Sequence, residues 1–65
     1  SESGQRLRKA LVRLSNRQRE LLHLVFYQDM TIEEAAAVLG VSLGTAGVHY
    51  QRGKARLRLI LTEKG

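Results

Sequence analysis

The side chains best equipped for chemistry gather late in the chain: Gln51 and Arg52, followed by Lys54, Arg56 and Arg58. A glutamine amide carries donor and acceptor side by side and suits the edge of an adenine, while Arg and Lys suit phosphates. Just before them, Gly44, Thr45, Gly47 and Val48 add little bulk, and Ser42 and Thr45 supply hydroxyls. Low bulk lets a backbone come close to phosphates, the amide reads a base, and the cations anchor. Bond-making chemistry has no such footing. The chain has two histidines, His23 and His49, and no cysteine. Disulfides and thiolate metal sites are therefore excluded, and two imidazoles are too few for a structural zinc. No nucleophile is paired with a base. The residues read as a binding surface, with no cofactor, metal or catalytic role expected.

The distribution of charge narrows the partner. A net charge of +5 over 65 residues points to an anion, nucleic acid being the usual one. Arg6, Arg8, Lys9, Arg13, Arg17 and Arg19 crowd the first third of the chain. From Glu20 to Gln51 there is no Lys or Arg, and Glu20, Asp29, Glu33 and Glu34 make that stretch acidic. Two basic blocks around an acidic middle suggest two ends that clamp phosphates. No apolar run nears the roughly 18 residues of a membrane span, and no signal-peptide pattern is present. A reducing, cytoplasmic setting and no membrane partner are expected.

Positioning such a surface takes helices. The chain has no proline, and its apolar periods are helical. Leu7, Ala10, Leu11 and Leu14 make the stripe of a short first helix. Ser15, with Gln18 three residues on, forms a capping box for a second helix. Its Leu21, Leu22, Leu24, Val25 and Phe26 span roughly a 200° arc, about twice the stripe of a simple surface helix. Either both flanks of that arc are buried, or one is left for a protein partner, with Leu22, Phe26, Tyr27 and the outlying Leu59 as the docking surface.

Thr31 caps a third helix, with Glu34 completing the box and Ile32, Ala35, Ala36 and Leu39 facing inward. Gly40 ends it, Val41 is the buried turn residue, and Ser42 caps a fourth helix from Leu43 to about Thr62. On that helix Ala46, Tyr50, Gly53, Leu57, Ile60 and Leu61 form the inner stripe. Gly44, Thr45, Gly47, Val48, Gln51, Arg52, Ala55 and Arg58 face away. His49 falls on the border, bonded locally or reaching a phosphate, and Gly53 reads as packing that makes room for Tyr50. The expected fold is all-α, a four-helix domain with a helix-turn-helix from about Thr31 to Arg58 and a long C-terminal recognition helix. Residues 1–5 read as a linker or remnant, 6–62 as the domain and 63–65 as a tail. A domain this small is marginal alone and is expected to belong to a longer protein.

Taken together, Leu11-x-x-Leu14 and Arg17-Gln18-Arg19-Glu20-Leu21-Leu22 resemble the opening of region 4 of sigma-70-type transcription initiation factors. Glu33-Glu34-Ala35-Ala36-x-x-Leu39-Gly40-Val41-Ser42 is similar to that domain's first helix and turn. Gly44-Thr45-Ala46 and Arg52-Gly53-Lys54-Ala55-Arg56-Leu57-Arg58 resemble the recognition helix and basic tail of its extracytoplasmic-function group. The resemblance covers about Ala10 to Leu61. It implies recognition of the −35 promoter element within RNA polymerase holoenzyme, docking on the polymerase β-subunit flap, control by an anti-sigma factor, and a monomeric state. It implies DNA contacts from Ser42, Gly44, Thr45, Gly47, Val48, His49, Gln51, Arg52 and Arg56. The family often has Val, Lys or Arg, Ser and Arg where this chain has Ala46, Gly47, Val48 and His49. Gln51 is thus the expected base reader and Arg52 a phosphate anchor, while Gly47 and Val48 allow close approach or contact with a thymine methyl. Thr45-x-x-x-His49 and Arg17 to Leu22 are also similar to LuxR-type response-regulator output domains, but the tail from Arg52 to Arg58 fits the sigma pattern better. A third reading makes the domain mainly a docking surface for polymerase or an anti-sigma factor.

Overall fold

A computed structural model describes residues 2–63 of the chain, with side chains described for residues 4–63. Four helices follow in order: α1 (Glu2–Val12), α2 (Asn16–Phe26), α3 (Ile32–Leu39) and α4 (Leu43–Thr62). No strand occurs among the described residues, so the fold is the expected all-α helix-turn-helix domain. Helix α1 reaches back to Glu2, through part of the stretch expected to be linker. Residue 1 of that stretch and residues 64–65 of the expected tail lie outside the described residues.

Short-range chemistry sets the helix ends. At Ser15 the hydroxyl accepts from the Gln18 amide at 3.3 Å, and the Gln18 side-chain oxygen accepts from the Ser15 amide at 3.2 Å. Thr31 and Glu34 repeat the exchange at 3.1 and 2.8 Å. Each box satisfies two amides that a helix start leaves without partners. Gly40 ends α3 at φ 69, ψ 33, a left-handed conformation that costs a side-chain-bearing residue about 1–2 kcal/mol. Its amide donates to the Ala37 carbonyl at 3.2 Å, and the Val41 amide donates to the Ala36 carbonyl at 3.0 Å. That pair of bonds is a Schellman motif, and it fixes the angle at which the chain leaves α3. Asp29 (φ 55) is also left-handed and turns the chain out of α2, a conformation Asp tolerates better than most residues.

Packing places α4 at the centre, in contact with each of the other three helices, while α2 also packs on α3. Leu21, Ala35, Ala36 and Ala46 form the buried cluster, with Leu24, Val25, Met30, Ile32, Leu39 and Val41 packed around it. Three of those four buried residues are alanines, so the two helices of the motif lie close together. Gly53 is buried as expected, but its neighbour differs. A Cβ there would meet Gln18 Cβ at 3.2 Å and Leu22 Cδ1 at 3.4 Å, so the glycine lets α2 approach α4. Tyr50 instead stacks with Phe26, centroids 6.1 Å apart, under the Lys54 ammonium at 4.8 Å. At the far end of α4, Arg13 pairs with the Glu63 carboxylate at 2.8 and 3.3 Å, and Arg6 donates to the Leu61 carbonyl at 3.1 Å. These contacts tie α1 to α4.

Candidate nucleic-acid interface

The turn Gly40–Val41–Ser42 delivers the start of α4 to the surface. The Ser42 hydroxyl accepts from the Thr45 amide at 3.1 Å and donates to the Thr45 hydroxyl at 2.9 Å. The Ser42 hydroxyl is thereby engaged on Thr45, so Ser42 builds the interface by capping. No acidic residue stands in the first turn of α4, so the positive end of the helix dipole is not neutralised there.

Beyond the cap, Gly44, Val48, Gln51, Arg52, Ala55 and Arg58 are all exposed, whereas Ala46 and Gly53 are buried. This is the two-faced helix that the spacing predicts. Gly47 and His49 are half-buried flank residues, which fits His49 as a border residue. A Cβ added at Gly44 or Gly47 would meet nothing within 4 Å, so no packing inside the chain demands a glycine at either position. Among the described residues, Arg52 and Arg58 enter no ion pair or hydrogen bond. Arg56 is less free, since its charge helps hold the Glu63 carboxyl below its ordinary range. The structure therefore brings Gly44, Thr45, Val48, Gln51 and Arg52 to one exposed surface on the first half of α4. Arg58 is exposed further along, in the second half of α4; it counted on the outward face by spacing but was not among the expected contacts.

The first basic block behaves differently from the expected clamp. Arg13 and Arg6 hold the end of α4, Arg17 pairs with Glu20 at 3.4 Å, and Arg19 donates to Asn16 Oδ1 at 2.6 Å and the Leu14 carbonyl at 3.4 Å. The guanidinium–carboxylate pair raises the Arg13 pKa and lowers that of Glu63, chiefly through their hydrogen bond and then through charge attraction. Much of this block is therefore engaged within the chain.

The expected docking side chains divide. Leu22 is only 2% exposed; it packs against Gly53 and floors a cleft, so it is corrected from a docking residue to a core residue. Phe26 and Tyr27 remain 58% and 54% exposed and line that same cleft with Leu7, Leu11 and Leu57. Leu59 is 65% exposed but lies on the outward side of α4, apart from them. A larger groove of about 420 Å³ runs between Leu11, Leu24, Val38 and Leu39, with Arg19, Glu20 and His23 at its rim. Sequence reasoning did not single it out, although Val38, an apolar residue off the inner stripe of α3, carries the signal.

A short capped turn between two tightly packed helices, with the second presenting an amide and free guanidinium groups outward, defines a helix-turn-helix DNA-binding domain. The family profile of sigma-70, region 4, matches residues 4–57, most of the chain. The chain belongs to the sigma-70 region 4 family, the DNA-binding domains with which transcription initiation factors recognise the −35 promoter element in concert with RNA polymerase. No curated protein and no solved structure matches it. No helix among the described residues is long and apolar enough to cross a membrane.

Proposed function

We propose that this chain is the −35-reading domain of an extracytoplasmic-function sigma factor, acting as a monomer in the cytoplasm. The first half of α4 lies in the major groove, with Gln51 on an adenine edge and Arg52 on a phosphate. Gly44 and Thr45 approach the backbone, and Arg56 and Arg58 anchor further along. The observation that carries this reading is the free Arg52 guanidinium beside the exposed Gln51 amide, about two and a half to three turns past the Ser42 cap. Duplexes carrying a −35-type promoter element, titrated into labelled protein at low salt, are expected to shift the amide signals of residues 42–52. Gln51→Ala should relax preference at a single base pair, at a cost of about 1–3 kcal/mol in discrimination. Shifts spread evenly over the surface, or absent from α4, would end the proposal.

Polymerase docking is the second part of the reading, supported by the apolar groove between Leu11, Leu24, Val38 and Leu39. None of its lining residues lies on α4, so a β-flap segment seated there leaves the reading face open. An anti-sigma factor that covers the groove and α4 together would block both functions. Val38 is 60% exposed, so Val38→Asp should fold normally, lose capture by the flap and keep its DNA shifts. Retained flap capture would remove the groove from the proposal.

A further inference from the structure

Three large apolar side chains on α4 are exposed: Leu43, Val48 and Leu59. Leu43 opens the helix and Leu59 lies beyond the basic tail, so only Val48 stands within the part of the face that would meet bases. It is 47% exposed and takes no part in the buried cluster. Gly44 lies one turn before it, Gly47 beside it, and neither glycine carries a side chain that could shield it. Lone exposed apolar residues are ordinary on protein surfaces. This one is distinguished by having Gln51 and Arg52 immediately after it on the same face.

The major-groove edge of DNA offers one apolar group, the C5 methyl of thymine. A β-branched side chain in a helix is held in one strongly preferred rotamer, so Val48 presents its methyls in a fixed position and loses little freedom on contact. Three residues of helix advance about 4.5 Å, so Val48 and Gln51 address the same or adjacent base pairs. We propose that Val48 is a specificity-determining residue that reads a thymine methyl next to the adenine read by Gln51. The preferred site is then distinguished by a methyl group as well as by hydrogen bonds. This rests on the promoter-reading proposal above.

The test separates the two. Preferred duplexes are selected from a random-sequence pool with the 65-residue chain at low ionic strength, then resynthesised with deoxyuridine replacing one thymidine at a time. Burying one methyl supports a loss of roughly fourfold in affinity, expected at a single thymine. Val48→Ala, an exposed change to a good helix former, should bind the thymidine and deoxyuridine duplexes equally. Gln51→Ala should keep the thymidine-to-deoxyuridine ratio while losing its adenine preference. If the parent chain ignores the methyl at every thymine yet still rejects A·T to G·C changes, this inference falls and promoter reading stands. Methyl discrimination that survives in Val48→Ala also overturns it, since another side chain would then be the reader. A pool that yields no preferred sequence would take down both proposals.

Discussion

Glycines at four positions of one small domain meet three different environments, and substitution should separate them. Gly40 needs its left-handed backbone, so Gly40→Ala is expected to cost about 1–2 kcal/mol, though a Cβ there would touch nothing. Gly44 and Gly47 lie in ordinary helix with open space around them, so alanine at each should add about 1 kcal/mol of stability. In a domain of this size that is a rise of roughly 4–8 °C in Tm. Gly53 should show the opposite sign. The gain in helix propensity is set against contact with Gln18 Cβ at 3.2 Å, and Gln18 is held by the Ser15 capping box. Thermal melts of the four alanine variants check all of this. If Gly44→Ala and Gly47→Ala are stabilised yet bind DNA less well, close approach to the duplex is the reason for glycine there. Capping residues were legible in the sequence because each box joins residues only three apart and depends on local chemistry alone. The Arg13–Glu63 pair was not, because its partners are 50 residues apart and meet only once α1 lies along α4.

The wide apolar arc of α2 poses the corresponding question for an element. Periodicity showed that too many apolar residues were present for one interface but not which were surplus. The fold assigns them: Leu21 and Leu22 to the core, Leu24 and Val25 to its flank, and Phe26 to a stack on Tyr50 with its outer side exposed. Helix α1 is the element whose attachment depends most on charge. The Glu63 carboxyl titrates below its ordinary value of 4.5, so its contribution to stability is present above that value and is lost as pH falls through the lower folded-state value. Glu63→Gln should therefore melt below the parent at neutral pH, with the gap closing as pH falls below the ordinary carboxylate range. Both partners are exposed, so roughly 1 M salt should narrow the gap as well. Amide exchange should show the loosening in α1 and the last turn of α4, not in α2 or α3. A gap that is unchanged in acid would mean that the loss in Glu63→Gln does not come from the ion pair.

For the whole molecule, charge counted along the chain and charge free to meet DNA differ. The sequence has 11 Lys and Arg residues; if all of them met phosphates, log affinity would fall with log salt at a slope of about −10. The folded chain engages Arg6, Arg13, Arg17 and Arg19 in its own hydrogen bonds and ion pairs. Lys54 lies over the Tyr50 ring, and Arg56 is partly answered by Glu63. Arg52 and Arg58 are left fully available on the reading face, with the rest of the tail available in part. If the four basic residues of α4 alone meet phosphates, the expected slope is about −4. Arg52→Ala should make it shallower by about 1, whereas Arg13→Ala should leave it unchanged while loosening α1. Binding isotherms of the parent and the two variants at several salt concentrations decide the matter. A steep slope that Arg13→Ala reduces would restore the two-block clamp suggested by the order of charges. A shallow slope that only α4 variants change would mean that the first basic block serves the fold and the second the DNA. Most of the affinity on a promoter would then have to come from polymerase contacts elsewhere on the domain, such as the groove beside Val38.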